Sequence, residues 1–217
     1  RVVRPDGPDR AILEIGLQAW PVPAPLVRDA EGWRFDGNEG VEVVQDRVVG
    51  RNELKAIEVL RAYVDAQVEY ASEDRDGDQV LAYAQRIAST PGQQDGLYWD
   101  VEESDEPSPF GPFLAEAGVS ADREAGSPYY GYRFAILKRQ GENVPGGAYD
   151  YVINDNMIAG FAMVAWPAEY ADSGVMTFMV NQRGEVVEKD MGETTSELGP
   201  RIETYNPDGT WTPVEDD

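Results

Sequence analysis

Apolar residues recur along the chain with two different periods, and the change of period divides it. Over residues 1–36 the pattern is short and extended. Ala11-Ile12-Leu13-Glu14-Ile15 is an apolar run of strand length. Pro21, Pro23 and Pro25 hold Trp20 to Leu26 extended, because proline has no N–H to give to a central ladder. Leu26-Val27-Arg28 and Trp33-Arg34-Phe35 flank Asp29-Ala30-Glu31-Gly32, which predicts a hairpin. From residue 38 the period becomes helical. Asn38 is placed to cap a short helix over 40–48, Gly50 to interrupt it, and Asn52 to cap the next one with Glu53 in its first turn. Leu54, Ile57, Leu60, Val64, Val68 and Ala71 recur at three- and four-residue spacing and predict one apolar stripe. Arg61, Asp65 and Glu69, four apart, mark another face. A second short helix is predicted over 80–88, ended by Pro91-Gly92.

The period then changes again. Residues 92–130 are rich in Gly, Pro, Ser and acids and read as a long irregular crossing with one helical turn over 113–117. Strands are predicted over 130–137, 149–153 and 158–166. A further hairpin, 175–180 with 185–189, turns at Asn181-Gln182-Arg183-Gly184. The expected fold class is α+β: an N-terminal amphipathic helix packed on an antiparallel β-sheet in a domain spanning 38–217. A short β-rich segment, 1–37, precedes it and reads as the remnant of a larger unit. The chain opens at Arg1 and not at Met, which reads as a processed or truncated form.

Charge narrows the function. The chain has 217 residues and a formal net charge of −23, from 41 acids against 18 bases, only three of them Lys. Such a field repels nucleic acid and anionic membrane. It leaves two readings, a solvated acidic surface or a docking face for a basic partner or cations. The absence of Cys and His removes thiol chemistry, disulfides, Cys/His zinc sites and every His-dependent triad. No run of about twenty apolar residues is present, so no direct membrane span is expected.

The acidic loop Glu73-Asp74-Arg75-Asp76-Gly77-Asp78 is the strongest chemical candidate. Calcium takes six to eight oxygens, and Asp74, Asp76 and Asp78 stand at alternate positions around Gly77, so Ca²⁺ is the one cofactor expected. The loop is not an EF-hand, since its twelfth position is Gln85 and not a bidentate Glu. In a chain this acidic, the same spacing also suits a solvated turn. Trp99, Tyr129, Tyr130, Tyr132, Trp166 and Tyr170 are candidates to line a groove for carbohydrate or peptide, or else to pack in the core. No G-x-S-x-G, S-x-x-K, G-x-x-x-x-G-K-[ST] or G-x-G-x-x-G motif occurs. Carboxylate pairs such as Asp95 with Asp100, or Asp150 with Asp155, could serve a glycosidase, but acids are too frequent for proximity in sequence to mean much. No catalytic residue is assigned.

A series of short motifs, in order, resembles the bacterial family catalogued as domain of unknown function 2950. They include Gly32-Trp33-Arg34-Phe35-Asp36, Gly50-Arg51-Asn52-Glu53-Leu54, Asp95-Gly96-Leu97-Tyr98-Trp99, Pro128-Tyr129-Tyr130-Gly131-Tyr132 and Ala165-Trp166-Pro167-Ala168-Glu169-Tyr170. The resemblance implies an exported protein, periplasmic or extracellular, and supplies no activity. It also implies a partner, a basic exported protein or an envelope-complex subunit. Members often carry Gly where this chain has Gln79. More distantly, a helix followed by an acidic turn and a closing hairpin resembles the soluble head of type IV pilin-like proteins. The function expected from these readings is a non-enzymatic interaction or assembly subunit with an acidic surface, stabilised by calcium. The alternatives are a calcium-dependent binding module or an Asp/Glu hydrolase of cell-wall glycan or peptide.

Overall fold

In the computed structural model, which describes residues 1–75, 77–99, 107–111, 113 and 127–215, strands come before the helix. β1 (Val2–Pro5), β2 (Arg10–Ile15), β3 (Trp20–Pro21), β4 (Leu26–Asp29) and β5 (Gly32–Phe35) form one antiparallel sheet in the order β1-β2-β4-β5, with β3 paired to β2. The predicted Asp29–Gly32 turn closes the β4–β5 hairpin and sets Leu26 opposite Phe35. Strand alternation puts Val3, Leu13, Ile15, Trp20, Trp33 and Phe35 on one face. Trp20, Trp33 and Phe35 are about half exposed there, while Ala11 and Pro25 are buried.

α1 (Gly37–Tyr70) follows without a break. Asp36, not Asn38, caps it, its carboxylate accepting from the backbone N–H groups of Asn38 and Glu39. The two helices predicted on either side of Gly50 are one helix. A glycine inside a helix costs only about 1 kcal/mol, too little to break a run of 34 residues with good formers on both sides.

By its contacts the chain divides into two compact units, Arg1–Arg51 and Asn52–Asp217, with α1 contributing to both. In the first, Arg10 clamps the helix start by pairing with both Asp6 and Glu39. Arg47 donates to Pro21 O at 2.9 Å and lies over the Trp20 ring at 5.2 Å.

In the second unit β6 (Tyr132–Leu137), β11 (Ala162–Pro167), β12 (Met176–Asn181), β13 (Val187–Asp190) and β14 (Thr212–Pro213) form an antiparallel sheet in the order β14-β13-β12-β11-β6. Between β6 and β11 lie two small ladders, β7 (Arg139–Gln140) with β8 (Tyr149–Asp150), and β9 (Val152–Ile153) with β10 (Asn156–Met157). The α+β class is therefore observed, with the helix as an inner element and not the N-terminal one.

The buried stripe of α1 is rotated from the predicted one. Leu54 and Val68 are exposed, whereas Ala56, Leu60, Tyr63, Ala66, Gln67 and Tyr70 are buried. The polar tips on this stripe find partners. Tyr63 donates its hydroxyl to Ala162 O, and Tyr70 to Gln94 O. Asn52 and Glu53, read from local sequence as a cap, dock the helix: Asn52 Nδ2 donates to Ser173 O, and Glu53 accepts from the N–H groups of Val175 and Met176. The helix predicted over 80–88 is absent. Its backbone groups are engaged elsewhere, Tyr83 N–H on Met157 O and Ala84 on the Gln67 amide. The helical turn predicted over 113–117 lies, beyond Phe113, outside the described residues.

Candidate functional site

The acidic loop begins where α1 ends. The Asp74 carboxylate accepts from the N–H groups of Gly77 (2.8 Å) and Gln79 (2.9 Å). Asp78 accepts from Val80 N–H on one oxygen (2.8 Å) and from Asn156 Nδ2 on the other (2.6 Å). Both carboxylates thus brace the loop. Gln79 sits at φ 69°, in the left-handed region where a glycine is at ease. Asp76, the third member of the predicted calcium set, lies outside the described residues. Among the described residues no group of three His, Cys, Asp or Glu is placed to hold a metal ion.

Under the loop, Arg75 lies over two rings, Tyr70 at 5.4 Å and Trp99 at 5.2 Å, while its Nε donates to Tyr70 O. Beside it is a cleft of about 200 Å³ whose charged lining is mixed, with Arg75, Arg86 and Lys138 facing Glu73, Asp95 and Asp155. Burial draws the Asp95 carboxyl upward. Hydrogen bonds from Thr90 N–H and Oγ1, with Arg86 at 3.0 Å, outweigh it and leave the group below its ordinary value. The stability this contributes is present above the unfolded value of about 4 and is lost as pH falls through the lower folded value.

Three of the aromatic residues singled out by sequence are buried. Trp99 is buried beneath Arg75. Tyr132 is fully buried with its hydroxyl donating to Met176 O. Trp166 is buried under Gly199, where a Cβ would come within 2.4 Å of the indole. Tyr129 and Tyr130 meet edge to face at 4.7 Å, with Tyr130 partly exposed. Tyr170 donates to Asp190. Of the carboxylate pairs, Asp150 pairs with Arg139 at 3.3 Å and Asp155 occupies a left-handed turn position; Asp100 lies outside the described residues.

Two features lie outside the residues singled out by sequence. The first is the distribution of charge. Residues 1–51 hold seven Arg against nine acids, a net of −2, which leaves −21 for residues 52–217. In that second unit, exposed Glu58, Asp65 and Glu69 run along α1 into exposed Glu73, Asp74 and Asp78 of the loop. Spacings of seven and four residues put the helical members on one face, which Arg61 shares and where Lys55 pairs with Glu58, so with the loop they form a ridge that is acidic on balance. The second is a groove of about 590 Å³ on the sheet face that carries Val164, Trp166, Met179 and Lys189. The segment after β13 closes it, and Trp211 lies in its wall. Trp211 gave no signal in sequence because it stands alone among polar residues.

No helix among the described residues is long and apolar enough to cross a membrane. Compared with known families, the chain matches the one described as "Protein of unknown function (DUF2950)" over residues 1–214. No curated protein and no solved structure matches it.

Proposed function

We propose that this chain, which belongs to the DUF2950 family, is an exported envelope protein that works as a non-enzymatic interaction subunit and binds a basic partner along its acidic ridge. The observation that supports this reading is the segregation of charge: −21 of the −23 lies in residues 52–217, with an exposed acidic ridge from Glu58 to Asp78. A field of this sign speeds encounter with a basic segment and holds its register, and it weakens with salt. The ridge belongs to a rigid element, since the opposite side of α1 is buried and hydrogen-bonded through Tyr63 and Gln67. That preorganisation keeps the carboxylates in place without ordering them on binding.

The test is binding of oligolysine, and then of proteins from native envelope extract, to the chain and to an Asp65→Lys, Glu69→Lys variant. Affinity is expected to fall at least about tenfold between about 50 and 200 mM salt, and charge reversal is expected to weaken it further. Binding that is indifferent to both salt and reversal overturns the reading. Calcium belongs to the same proposal through Asp74, Asp76 and Asp78. A melting temperature raised by excess calcium and lowered by EDTA supports it, and an unchanged melt removes it.

A further inference from the structure

We propose that the apolar face of the β1–β5 sheet binds a second copy of this chain, face to face. Strand register defines that face. Val3 stands opposite Leu13, Ile15 opposite Trp20, and Ala11 opposite Leu26, while Leu26 and Arg28 stand opposite Phe35 and Trp33. Alternate positions of a strand share a side, so these residues make one continuous surface across the five strands. Val3, Ile15, Trp20, Trp33 and Phe35 are 41–58% exposed on it. Arg47 lies over one side of the Trp20 ring at 5.2 Å, and Trp20 is still more than half open. Arg28 is the one charged residue at these positions. The charges of the other face are matched within the unit, Arg4 with Glu14, Arg34 with Asp29, and Arg10 with Asp6 and Glu39.

A sheet with one apolar side gains stability when another layer covers that side. Residues 1–51 bury little of their own, only Ala11, Pro25 and Gly40. Units this small are commonly reinforced by disulfides, a metal or association, and the chain has no Cys. Composition, charge and area then choose the occupant. Trp, Phe and Arg without Lys, Asp or Glu is the makeup of the centre of a protein–protein contact. Residues 1–51 have a net charge of −2, so two copies meeting through this sheet bring little charge together, whereas contact through residues 52–217 sets −21 against a like field. The open apolar surface is roughly 400–500 Å² per copy, taking roughly 150–250 Å² for a whole aromatic side chain. A standard interface takes about 800 Å² from each partner, somewhat over half of it apolar. One copy therefore supplies what another needs, and a two-fold contact uses the same patch twice. Exposed Trp and Arg also suit a lipid surface, but the net charge of −23 opposes an anionic one.

The proposal does not rest on the acidic ridge, and the Asp65→Lys, Glu69→Lys variant should associate at least as well as the native chain. The experiment is equilibrium sedimentation of the whole chain from about 1 to 200 µM, at about 50 and 500 mM sodium chloride. A species of twice the chain mass is expected to appear as concentration rises. It should form more readily at high salt, because screening removes the repulsion between copies and leaves the apolar contact. Trp33→Thr with Phe35→Thr keeps the charge and the strand preference and should weaken the dimer at least about tenfold. Arg4→Ala, on the other face, should leave it unchanged, and an unaltered circular dichroism spectrum at the lowest concentration verifies each variant. A chain that stays monomeric throughout overturns the proposal, and loss of binding to phosphatidylcholine vesicles in the double Thr variant would then assign the face to a lipid surface. A dimer indifferent to that variant overturns it as well. So does association that salt weakens and the ridge variant abolishes, since the contact would then run through the acids.

Discussion

Gln67 carries more of the fold than its type suggests. It is fully buried one turn after Tyr63. Its Oε1 accepts from Ala84 N–H at 2.8 Å, and its Nε2 donates to Ala84 O at 2.8 Å and to the Tyr63 hydroxyl at 3.0 Å. One side chain thus satisfies both backbone groups of a residue 17 positions away. Gln67→Met keeps the volume and removes all three bonds, leaving the Ala84 amide buried without a partner. The expected cost is about 2–4 kcal/mol, seen as a lower urea midpoint with an unchanged slope. A loss within error of zero would mean that water or a shifted backbone replaces the amide. This residue was invisible to a search for apolar periodicity, which passes over a polar residue on the buried side. The same search chose Leu54 and Val68, which are exposed, because it ranks size and hydrophobicity and cannot see that Ala56, Ala66 and Tyr63 fit closer to the rest of the core.

At the level of elements, the hairpins were legible and the helices less so. The β4–β5 turn and the β12–β13 connection depend on residues a few positions apart, so local sequence suffices. Asn52 and Glu53 look locally like a cap but hold Ser173 and Val175, more than 120 residues distant. The 80–88 segment has helical spacing but is tied to Gln67 and Met157. Nothing local reveals such partners. The helix through Gly50 gives a direct test. A Cβ at Gly50 would meet nothing within 4 Å, and the residue is not in the left-handed region. Gly50→Ala should therefore stabilise the protein by about 0.5–1 kcal/mol, through the smaller backbone entropy that alanine loses in a helix. The readout is the melting temperature together with helical circular dichroism. Destabilisation would show that the helix needs a bend at that position.

For the whole molecule the governing quantity is charge. The acids outnumber the bases by 23, so like charges crowd the folded chain and relax when it unfolds. The ion pairs between described residues do little to offset this. Arg4–Glu14, Arg34–Asp29 and Arg139–Asp150 are substantially exposed, and such pairs contribute about 0–1 kcal/mol each. Salt screens both the repulsion and the pairs, and the repulsion has far more members. Stability should therefore rise with ionic strength at pH 7. Between about 20 and 500 mM sodium chloride the melting temperature is expected to climb by several degrees, since about 1 kcal/mol corresponds to roughly 2–4 °C for a chain of this size. A melt that falls with salt would make the ion pairs dominant, with Arg10 between Asp6 and Glu39 the first place to look. The same screening weakens the proposed grip on a basic partner. A protein that grows more stable in salt while it releases that partner is the combined signature of a folded chain with a large net negative charge, and a protein whose acids and bases balance would show neither trend.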